Sequence, residues 1–290
     1  MHFSSLSAFA NSAAGAVRAK GPVALVLLED TVEAHSTVAH CQNSGFREIF
    51  VFGTADLLDT ALEEAGETVH TVVHDMHGPD ALTAAVNSAI RAYPDLWMHY
   101  CYNTEYLFFP FCETRNVREL IAFNTEERRD TILTFVIDLY SNDLGRNPDA
   151  VSLENAHLDR SGYYALARHD ADGHPLDRQL DFFGGLRWRF EEHVPWTRRK
   201  IDRVGLFRAA KGLELRADHT FNDPEYNTYS CPWHHSLTAN ICSFRTAKAL
   251  MSNPGSMYAI PHFWWSNSTP FEWNSNQLME LGLMEPGQWF

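Results

Sequence analysis

The sequence predicts a mixed α/β fold with a mostly parallel central sheet. In the first hundred residues, short apolar runs alternate with segments of helical periodicity, an alternation typical of a parallel sheet covered by helices. The run WMHYCYNTEYLFFP at 97–110 is apolar on both sides of one polar tetrapeptide, as expected of a buried strand that ends in a turn. Ligand-binding groups of such sheets lie where strands end, so this turn is the first candidate site.

The elements that justify this fold class follow one another along the first hundred residues. Each predicted strand is a short apolar run that ends at polar or glycine residues, and each predicted helix carries apolar residues on one face. Gly45 ends the first helix, because a residue without a Cβ fits the backbone conformation of a helix end. The predicted strands lie within 22–29, 46–52, 68–73 and 97–110, and the predicted helices within 31–44, 57–65 and 81–92.

The remainder of the chain is less regular. Residues 116–123 predict a short element, and residues 125–140 predict a helix or a strand. Residues 141–181 are polar with scattered Gly, Pro and Asp, which predicts a long surface excursion. Aromatic residues crowd the tail beyond Met257 and predict a segment that packs onto the domain or forms a wall of a substrate site.

The composition excludes several classes of partner. A formal net charge of −14 is unfavourable for binding nucleic acid or an anionic membrane, since both need clustered positive charge. The sequence contains no run of 18 uninterrupted apolar residues, so no membrane span is predicted. Five cysteines without a C-x-x-C pair indicate mostly buried thiols in a reducing compartment, so we predict a cytoplasmic protein.

Common nucleotide-binding motifs are absent from the sequence. It contains neither G-x-G-x-x-G nor G-x-x-x-x-G-K-[ST], the dinucleotide fingerprint and the phosphate loop. His70, His74 and His77 have the spacing of metal ligands on a helix, but the valines among them favour a strand, which turns the side chains to different faces. The polar residues at strand ends therefore carry the site prediction.

Several segments share an order with motifs of one enzyme family. They are Glu29-Asp30, residues 39–46, Trp97 to Pro110, Gly184-Gly185-Leu186-Arg187-Trp188-Arg189, Lys200 with residues 204–208, Asp218-His219, and residues 275–284. In this order they resemble motifs of the family 2 glycosyltransferases of the bacterial surface-polysaccharide type. The resemblance runs over nearly the whole chain.

The resemblance implies a single GT-A domain over residues 1–290. Its nucleotide-binding half would be 22–110, its acceptor-side half 111–250 and its C-terminal tail 251–290. In that family two aspartates of a D-x-D motif hold Mg²⁺ or Mn²⁺, which neutralises the leaving diphosphate. Here Tyr102 and Thr104 stand at those positions, so the expected ligands are missing. Mg²⁺ or Mn²⁺ stays open as a cofactor, and no metal-ligating residue is predicted.

The resemblance also implies that residues at two strand ends contact a nucleotide-sugar. The alternative at the first strand end is an N-cap of the following helix, which Asp30 and Thr31 would serve equally well. Glu105 is either a metal or ribose contact or a carboxylate that accepts backbone N–H groups. Tyr102 is either a ring that stacks on a uracil or sugar ring or a core residue. The predicted nucleotide-sugar contacts are Glu29, Asp30, Tyr102, Asn103, Thr104, Glu105, Arg187, Arg189, Lys200 and His219, with His234 as an alternative to His219.

A diphosphate that leaves without a metal needs positive charge from side chains. Arg187, Arg189 and Lys200 lie in a basic segment, and arginine binds phosphate in bidentate geometry. The alternative is that these cations pair with the surplus acidic residues. Asp181 and Asp218 are the candidates for the base that deprotonates the acceptor hydroxyl.

The favoured hypothesis is a glycosyltransferase that moves a hexose from a nucleotide-sugar donor to a glycan or small-molecule acceptor, with weak or absent metal dependence. The alternative is a catalytically inactive protein of the same fold that binds a glycan, nucleotide or protein partner. The loss of both expected aspartates motivates this alternative. A third hypothesis is a different transferase or hydrolase chemistry on the same fold.

Overall fold

The structure is a computed structural model that describes residues 1–12, 21–61, 66–231 and 235–289. The chain divides into two compact units. Unit 1 comprises Met1–Leu107, Cys112–Leu133 and Val204–Asn227, and unit 2 comprises Phe108–Phe111, Thr134–Arg203 and Thr228–Phe290. The single domain over residues 1–290 stays a prediction.

The described residues form strands and short helices in the following order along the chain. The strands are β1 (His2–Phe3), β2 (Val23–Leu27), β3 (Glu48–Gly53), β4 (Val69–Val73), β5 (Trp97–Tyr102), β6 (Glu105–Phe108), β7 (Thr131–Ser141), β8 (Ala156–Asp159), β9 (Tyr164–His169), β10 (Pro175–Phe183), β11 (Asp202–Arg208), β12 (Ala239–Ser243) and β13 (Ser268–Pro270). The helices are α1 (Leu6–Ser12), α2 (Ala34–Asn43), α3 (Ala55–Ala61), α4 (Ala81–Ala92), α5 (Val117–Glu126), α6 (Gly185–Arg189), α7 (Arg245–Ser252) and α8 (Ser275–Glu280).

Unit 1 contains a mostly parallel sheet. Its strands run in the order β1-β4-β3-β2-β5-β11, with β11 antiparallel to β5 and the others parallel. In the register of β2 and β5, Val23 pairs with Met98 and Leu27 with Tyr102. The two strands therefore end side by side, and the polar residues that follow them meet at one edge of the sheet.

The core of unit 1 explains why the sequence forms these elements. All five residues of β2 are buried, and α4 buries a stripe that includes Ala81, Ala85 and Ala89, the spacing of one helix face. Phe9 of α1 packs edge-on against Phe52, with ring centroids 5.5 Å apart. The α/β class and the strand and helix alternation of the first hundred residues are confirmed, although the predicted helix end at 62–65 lies outside the described residues.

Unit 2 is built on strands of mixed direction. Residues 134–138 of β7 pair in parallel with β12, and residues 139–141 of β7 pair antiparallel with β8. Strand β13 pairs antiparallel with β8. Strands β9 and β10 form a separate antiparallel hairpin. Residues 125–140, which predict either a helix or a strand, divide between the end of α5 and β7.

The predicted surface excursion at 141–181 is wrong for part of its length. The hairpin strand β9 is largely exposed, but all four residues of β8 are buried. The hydrophobicity pattern does not predict this strand, because two of its four residues, His157 and Asp159, are polar. They can be buried because hydrogen bonds satisfy their side chains inside the fold. Buried Asp159, for example, accepts hydrogen bonds from Tyr140 and Trp265.

No helix in the described part of the chain combines the length and apolar character needed to cross a membrane.

Candidate functional site

The turn between β5 and β6 is a closed structure. Asn103 and Thr104 form it, and both side chains are completely buried. Thr104 adopts a left-handed φ of 68°, which is unusual for a β-branched residue and costs backbone energy. Its amide donates to Thr37 Oγ1 on α2 at 2.9 Å, so contacts with the neighbouring helix hold the strained residue in place.

Asn103 joins the ends of β2 and β5. Its Oδ1 accepts the backbone N–H of Glu29 at 3.0 Å, and its Nδ2 donates to Asp30 Oδ1 at 2.7 Å and to the Val32 carbonyl at 2.9 Å. The structure thus brings three of the predicted contacts, Glu29, Asp30 and Asn103, into one hydrogen-bonded group. The group is possible only because β2 and β5 pair in a register that ends both strands at the same edge.

Glu29 and Asp30 are the partly exposed members of this group. Asp30 Oδ1 also accepts the N–H of Val32 at 2.9 Å, which fixes the turn after β2. The alternative role of Asp30 as a helix N-cap is wrong, because α2 begins at Ala34 and its N-cap position is occupied by Glu33 with a left-handed φ of 50°. Asp30 therefore orders the turn that precedes α2 and presents its carboxylate at the edge of the sheet.

Glu105 and Tyr102 face inward. Glu105 is 2% exposed, and its Oε2 accepts the backbone N–H of Tyr102 at 2.8 Å. Tyr102 is 5% exposed and belongs to the hydrophobic core of unit 1. This geometry matches the alternatives of a carboxylate satisfying a strand end and of a core aromatic. The binding roles of both residues stay predictions.

Asp218 and His219 lie in a turn of unit 1. The exposed Asp218 accepts hydrogen bonds through Oδ1 from the amide and hydroxyl of Thr220, at 3.1 and 2.7 Å. The His219 ring stacks on Tyr100 of β5, with centroids 6.0 Å apart and planes 1° from parallel, and its Nδ1 lies 3.0 Å from the Tyr100 hydroxyl. Asp218 therefore shapes its own turn, whereas His219 packs on the central strand. His234 lies outside the described residues.

Arg189 belongs to a buried network in unit 2. Its Nη1 contacts both oxygens of Asp159 at 3.1 and 3.2 Å, and its guanidinium lies 4.6 Å from the ring centroid of Trp265. Asp159 also accepts from Tyr140 Oη at 2.6 Å and from Trp265 Nε1 at 2.7 Å. Burial and then the charge of Asp159 raise the pKa of Tyr140, so this phenol remains a donor. The charges of Arg189 and Asp159 balance each other within unit 2.

Lys200 and Asp181, a predicted cation and a predicted base, contact each other. Lys200 Nζ lies 3.3 Å from Asp181 Oδ1, and Arg168 Nη2 lies 2.8 Å from the same oxygen. Arg187 donates to the Lys200 carbonyl at 2.6 Å and to Thr246 Oγ1 at 3.1 Å. The geometry matches the alternative in which the basic segment pairs with surplus acids.

Asp138 is a buried acid that the sequence analysis missed. It is 1% exposed, and its Oδ1 lies 3.6 Å from Arg187 Nε. Burial raises the pKa of Asp138, and Arg187 opposes that shift. Gly185, at φ 61°, fits against this carboxylate because a Cβ there would lie 2.8 Å from Asp138 Oδ2. One charged residue within the apolar run TILTFVIDLY is the signal that would have found it.

The turn does not fit Mg²⁺ or Mn²⁺, which prefer several oxygen ligands that include carboxylates. Tyr102 and Thr104 supply no carboxylate. The side-chain oxygen Oδ1 of Asn103 already accepts the backbone N–H of Glu29. Glu105 Oε2 already accepts the backbone N–H of Tyr102. No step of a mechanism is therefore assigned to a metal at this turn.

The histidines with helical ligand spacing do not converge. His70 lies in β4 and contacts Glu48 Oε2 at 2.6 Å, His74 contacts the Ala81 carbonyl, and His77 contacts Asp75. Their predicted strand-like arrangement is confirmed for His70, the member that lies inside β4. An exposed group with metal-ligand spacing, Asp170, Asp172 and His174, lies at the tip of the β9–β10 hairpin. There Asp170 Oδ1 accepts two backbone N–H groups of the turn, which explains its presence.

Comparison with known proteins gives weak structural likenesses only. No protein family and no curated protein sequence matches the chain. The fold is similar to HddC from Yersinia pseudotuberculosis (10% identity, 85% of this chain and 83% of that chain, TM-score 0.32). It is also similar to mannose-1-phosphate geranyltransferase from Thermus thermophilus (10% identity, 65% of this chain and 57% of that chain, TM-score 0.34). A third similar structure is UTP-bound UGPase from Acinetobacter baumannii (10% identity, 82% of this chain and 96% of that chain, TM-score 0.33). At these TM-scores the likenesses assign neither a family nor an activity to this chain.

Proposed function

We propose that the protein binds a nucleotide-sugar at the carboxyl edge of the unit 1 sheet without a metal and does not catalyse glycosyl transfer. The observation that carries the proposal is the Asn103 group. It orders the half-buried Glu29 and Asp30 at the ends of two adjacent parallel strands, the edge at which open α/β sheets bind nucleotides. The motif resemblance supports the choice of a nucleotide-sugar.

The Asn103 group suits recognition of neutral polar groups. Carboxylates at strand ends accept hydrogen bonds from ribose hydroxyls or from N–H groups of a base. Because Asn103 Nδ2 already donates to Asp30, the carboxylate is held in one orientation before a ligand arrives, which lowers the entropy cost of binding. Glu29 follows the same strand and adds a second acceptor at the same edge.

The basic segment supports the absence of transfer. Stabilising a leaving diphosphate requires donors aimed at the developing charge. Arg189 is instead bound to buried Asp159. Withdrawing Arg189 would leave a buried carboxylate uncompensated, which is costly.

A second candidate is metal-independent glycosyl transfer. The observation that favours it is the Lys200–Asp181 pair, in which both side chains are partly exposed, at 21% and 24%. Lys200 can exchange Asp181 for a diphosphate without leaving that acid unpaired, because Arg168 Nη2 lies 2.8 Å from the same Asp181 oxygen. Asp181 would then serve as the base of the transfer.

Thermal-shift titration with UDP-, GDP- and TDP-glucose, each with Mn²⁺ or with EDTA, tests the proposal. We expect one of the three to raise the melting temperature equally in both conditions, since ligands that bind the folded state stabilise it by mass action. Asp30→Asn should abolish the shift, whereas Asp56→Asn, an exposed acid in the first turn of α3, should retain it.

The outcomes separate the candidates. A shift that requires Mn²⁺, or no shift with any of the three, contradicts the proposed binding mode. Release of nucleoside diphosphate from the bound donor, lost in Lys200→Gln, would establish the second candidate in place of the first. Binding without release, unaffected by Lys200→Gln, supports the proposal.

A further inference from the structure

A cavity lies at the amino-terminal edge of the unit 1 sheet. It has a volume of about 470 Å³ and is lined by Gly21, Pro22, Arg47, Asp95, Leu96, Trp97, Arg118 and Ile121. This volume falls in the range of small-molecule sites, roughly 300–1,000 Å³. Trp97 begins β5 and Tyr102 ends it, so the cavity lies about 17 Å along the strand from the Asn103 turn.

Two exposed arginines, Arg47 and Arg118, line this cavity. Among the described residues, neither the guanidinium of Arg47 nor that of Arg118 makes a hydrogen bond or an ion pair. In contrast, Arg189 of unit 2 is bound to a carboxylate. In a chain with a net charge of −14, two unpaired arginines on one cavity form a local positive site, which attracts anions.

The local structure holds both arginines at the rim. Gly21 has a φ of 113°, and a Cβ there would lie 2.9 Å from Arg47 Cδ, so the absence of a side chain lets the Arg47 stem cross the cavity edge. Asn116 caps α5 and binds the amide of Arg118 at 3.0 Å. Arg118 is therefore fixed in the first turn of α5, where the helix dipole adds positive potential.

The acidic groups near the cavity leave it a positive balance of charge. Asp95 lines the cavity with a side chain that is 82% exposed, and its Oδ1 lies 4.0 Å from Arg208 Nη2. Glu119 Oε2 accepts the backbone N–H of Asn116 as part of the helix cap. Among the described lining residues two arginines therefore stand against one aspartate.

We propose that this cavity binds an organic phosphate monoester that carries a flat apolar group. A phosphate monoester is close to a dianion at neutral pH, which matches two guanidinium groups, and arginine binds phosphate oxygens in bidentate geometry. Pro22, Leu96 and Trp97 supply an apolar floor for the rest of the molecule. The proposal is independent of nucleotide-sugar binding at the opposite edge.

Isothermal titration of the full chain with phenyl phosphate tests the proposal. Inorganic phosphate and benzyl alcohol serve as probes that lack one half of the ligand, and we expect both to bind more weakly. Arg47→Gln and Arg118→Gln should each weaken phenyl phosphate binding about tenfold, the effect of one lost charged hydrogen bond. Arg146→Gln, which removes an 88% exposed arginine of unit 2, should leave the affinity unchanged.

Each contrary result overturns a defined part of the proposal. If phenyl phosphate does not bind, or binds the Arg47→Gln/Arg118→Gln double variant as tightly as the wild type, the site is not an anion site. If inorganic phosphate binds as tightly as phenyl phosphate, the apolar floor takes no part. Because both arginines are exposed, we expect the variants to keep the melting temperature of the wild type, and this measurement shows that they are folded. Asp30→Asn should not affect phenyl phosphate binding, which separates this test from that of the nucleotide-sugar site.

Discussion

The turn of unit 1 and the basic segment of unit 2, the two regions with the strongest sequence signals for chemistry, satisfy their polar groups differently. At the turn, one neutral amide, Asn103, binds backbone groups and a single carboxylate. In the basic segment, Arg189 and Lys200 bind carboxylates, so charge is balanced by charge. The first region is organised by hydrogen bonds to the backbone and the second by ion pairs.

The difference predicts how each region responds to mutation. Loss of a neutral hydrogen-bonding group leaves buried donors or acceptors unsatisfied, at a cost of roughly 1–3 kcal/mol. Loss of one member of a buried ion pair leaves a charge without compensation, at a cost of roughly 3–5 kcal/mol. Stability measurements on the two regions therefore test whether their organisation is as different as the contacts indicate.

The largest effect is expected for Arg189→Met. The substitution keeps an apolar stem but removes the charge that faces Asp159, which is 1% exposed, together with the contact to Trp265. We expect the free energy of unfolding to fall by about 3–5 kcal/mol, measured by urea denaturation.

Arg146→Met is the control for this prediction. Arg146 is 88% exposed and pairs with Asp143, whose side chain is 43% exposed, and an exposed pair contributes about 0–1 kcal/mol. An equal loss of stability in both variants would show that burial of the carboxylate does not decide the cost. The contrast between the two regions would then fail on its unit 2 side.

The next effect is expected for Asn103→Ala. This substitution leaves the N–H of Glu29 and the carbonyl of Val32 without their side-chain partner, and it creates a small cavity at a completely buried position. We expect a loss of about 2 kcal/mol in the same denaturation measurement. Asn43→Ala, at an exposed position that ends α2, should change stability by less than about 0.5 kcal/mol. A similar result for both would remove Asn103 from its organising role.

The sequence predicts the unit 1 fold well because its signals are local. Apolar runs and helical spacing are read within a few residues of one another, and β2 and α4 form where those patterns place them. In unit 2 the strand β8 is missed because His157 and Asp159 make it polar. Partners distant in sequence, such as Arg189 for Asp159, decide that such residues are buried, and no local pattern reveals them.

The candidate site is predictable only in part for the same reason. The expectation that Glu29, Asp30 and Asn103 share one sheet edge follows from the rule that parallel strands end together. The hydrogen bonds of Asn103 depend on the register of β2 and β5, which the sequence does not specify. No sequence pattern predicts that Arg47 and Arg118 line one cavity. They do so only because the starts of β3 and α5 pack around the same opening.

The smallest effect, with the opposite sign, is expected for Asp138→Asn. Asp138 differs from Asp159 because, among the described residues, its carboxylate oxygens receive only weak contacts from Thr246 and the Arg187 backbone and no hydrogen bond of ordinary geometry. Burial raises the pKa of Asp138 in the folded protein, so protonation of this carboxyl is more favourable in the native state than in the unfolded chain. Stability from this group is fully present below the ordinary pKa of an aspartate and is lost as the pH rises through the raised folded-state pKa.

Asparagine has no charge to bury and is free of this loss. At pH 7 we expect Asp138→Asn to raise the free energy of unfolding slightly and the gain to shrink as the pH falls toward 4, whereas Asp159→Asn should destabilise. Urea denaturation at a series of pH values measures both. If Asp138→Asn destabilises the protein at pH 7, the 3.6 Å contact with Arg187 outweighs burial. The three acids that face the cations of the basic segment, Asp138, Asp159 and Asp181, would then all be stabilised by ion pairs. The Asn103 turn, in contrast, is stabilised by hydrogen bonds to the backbone.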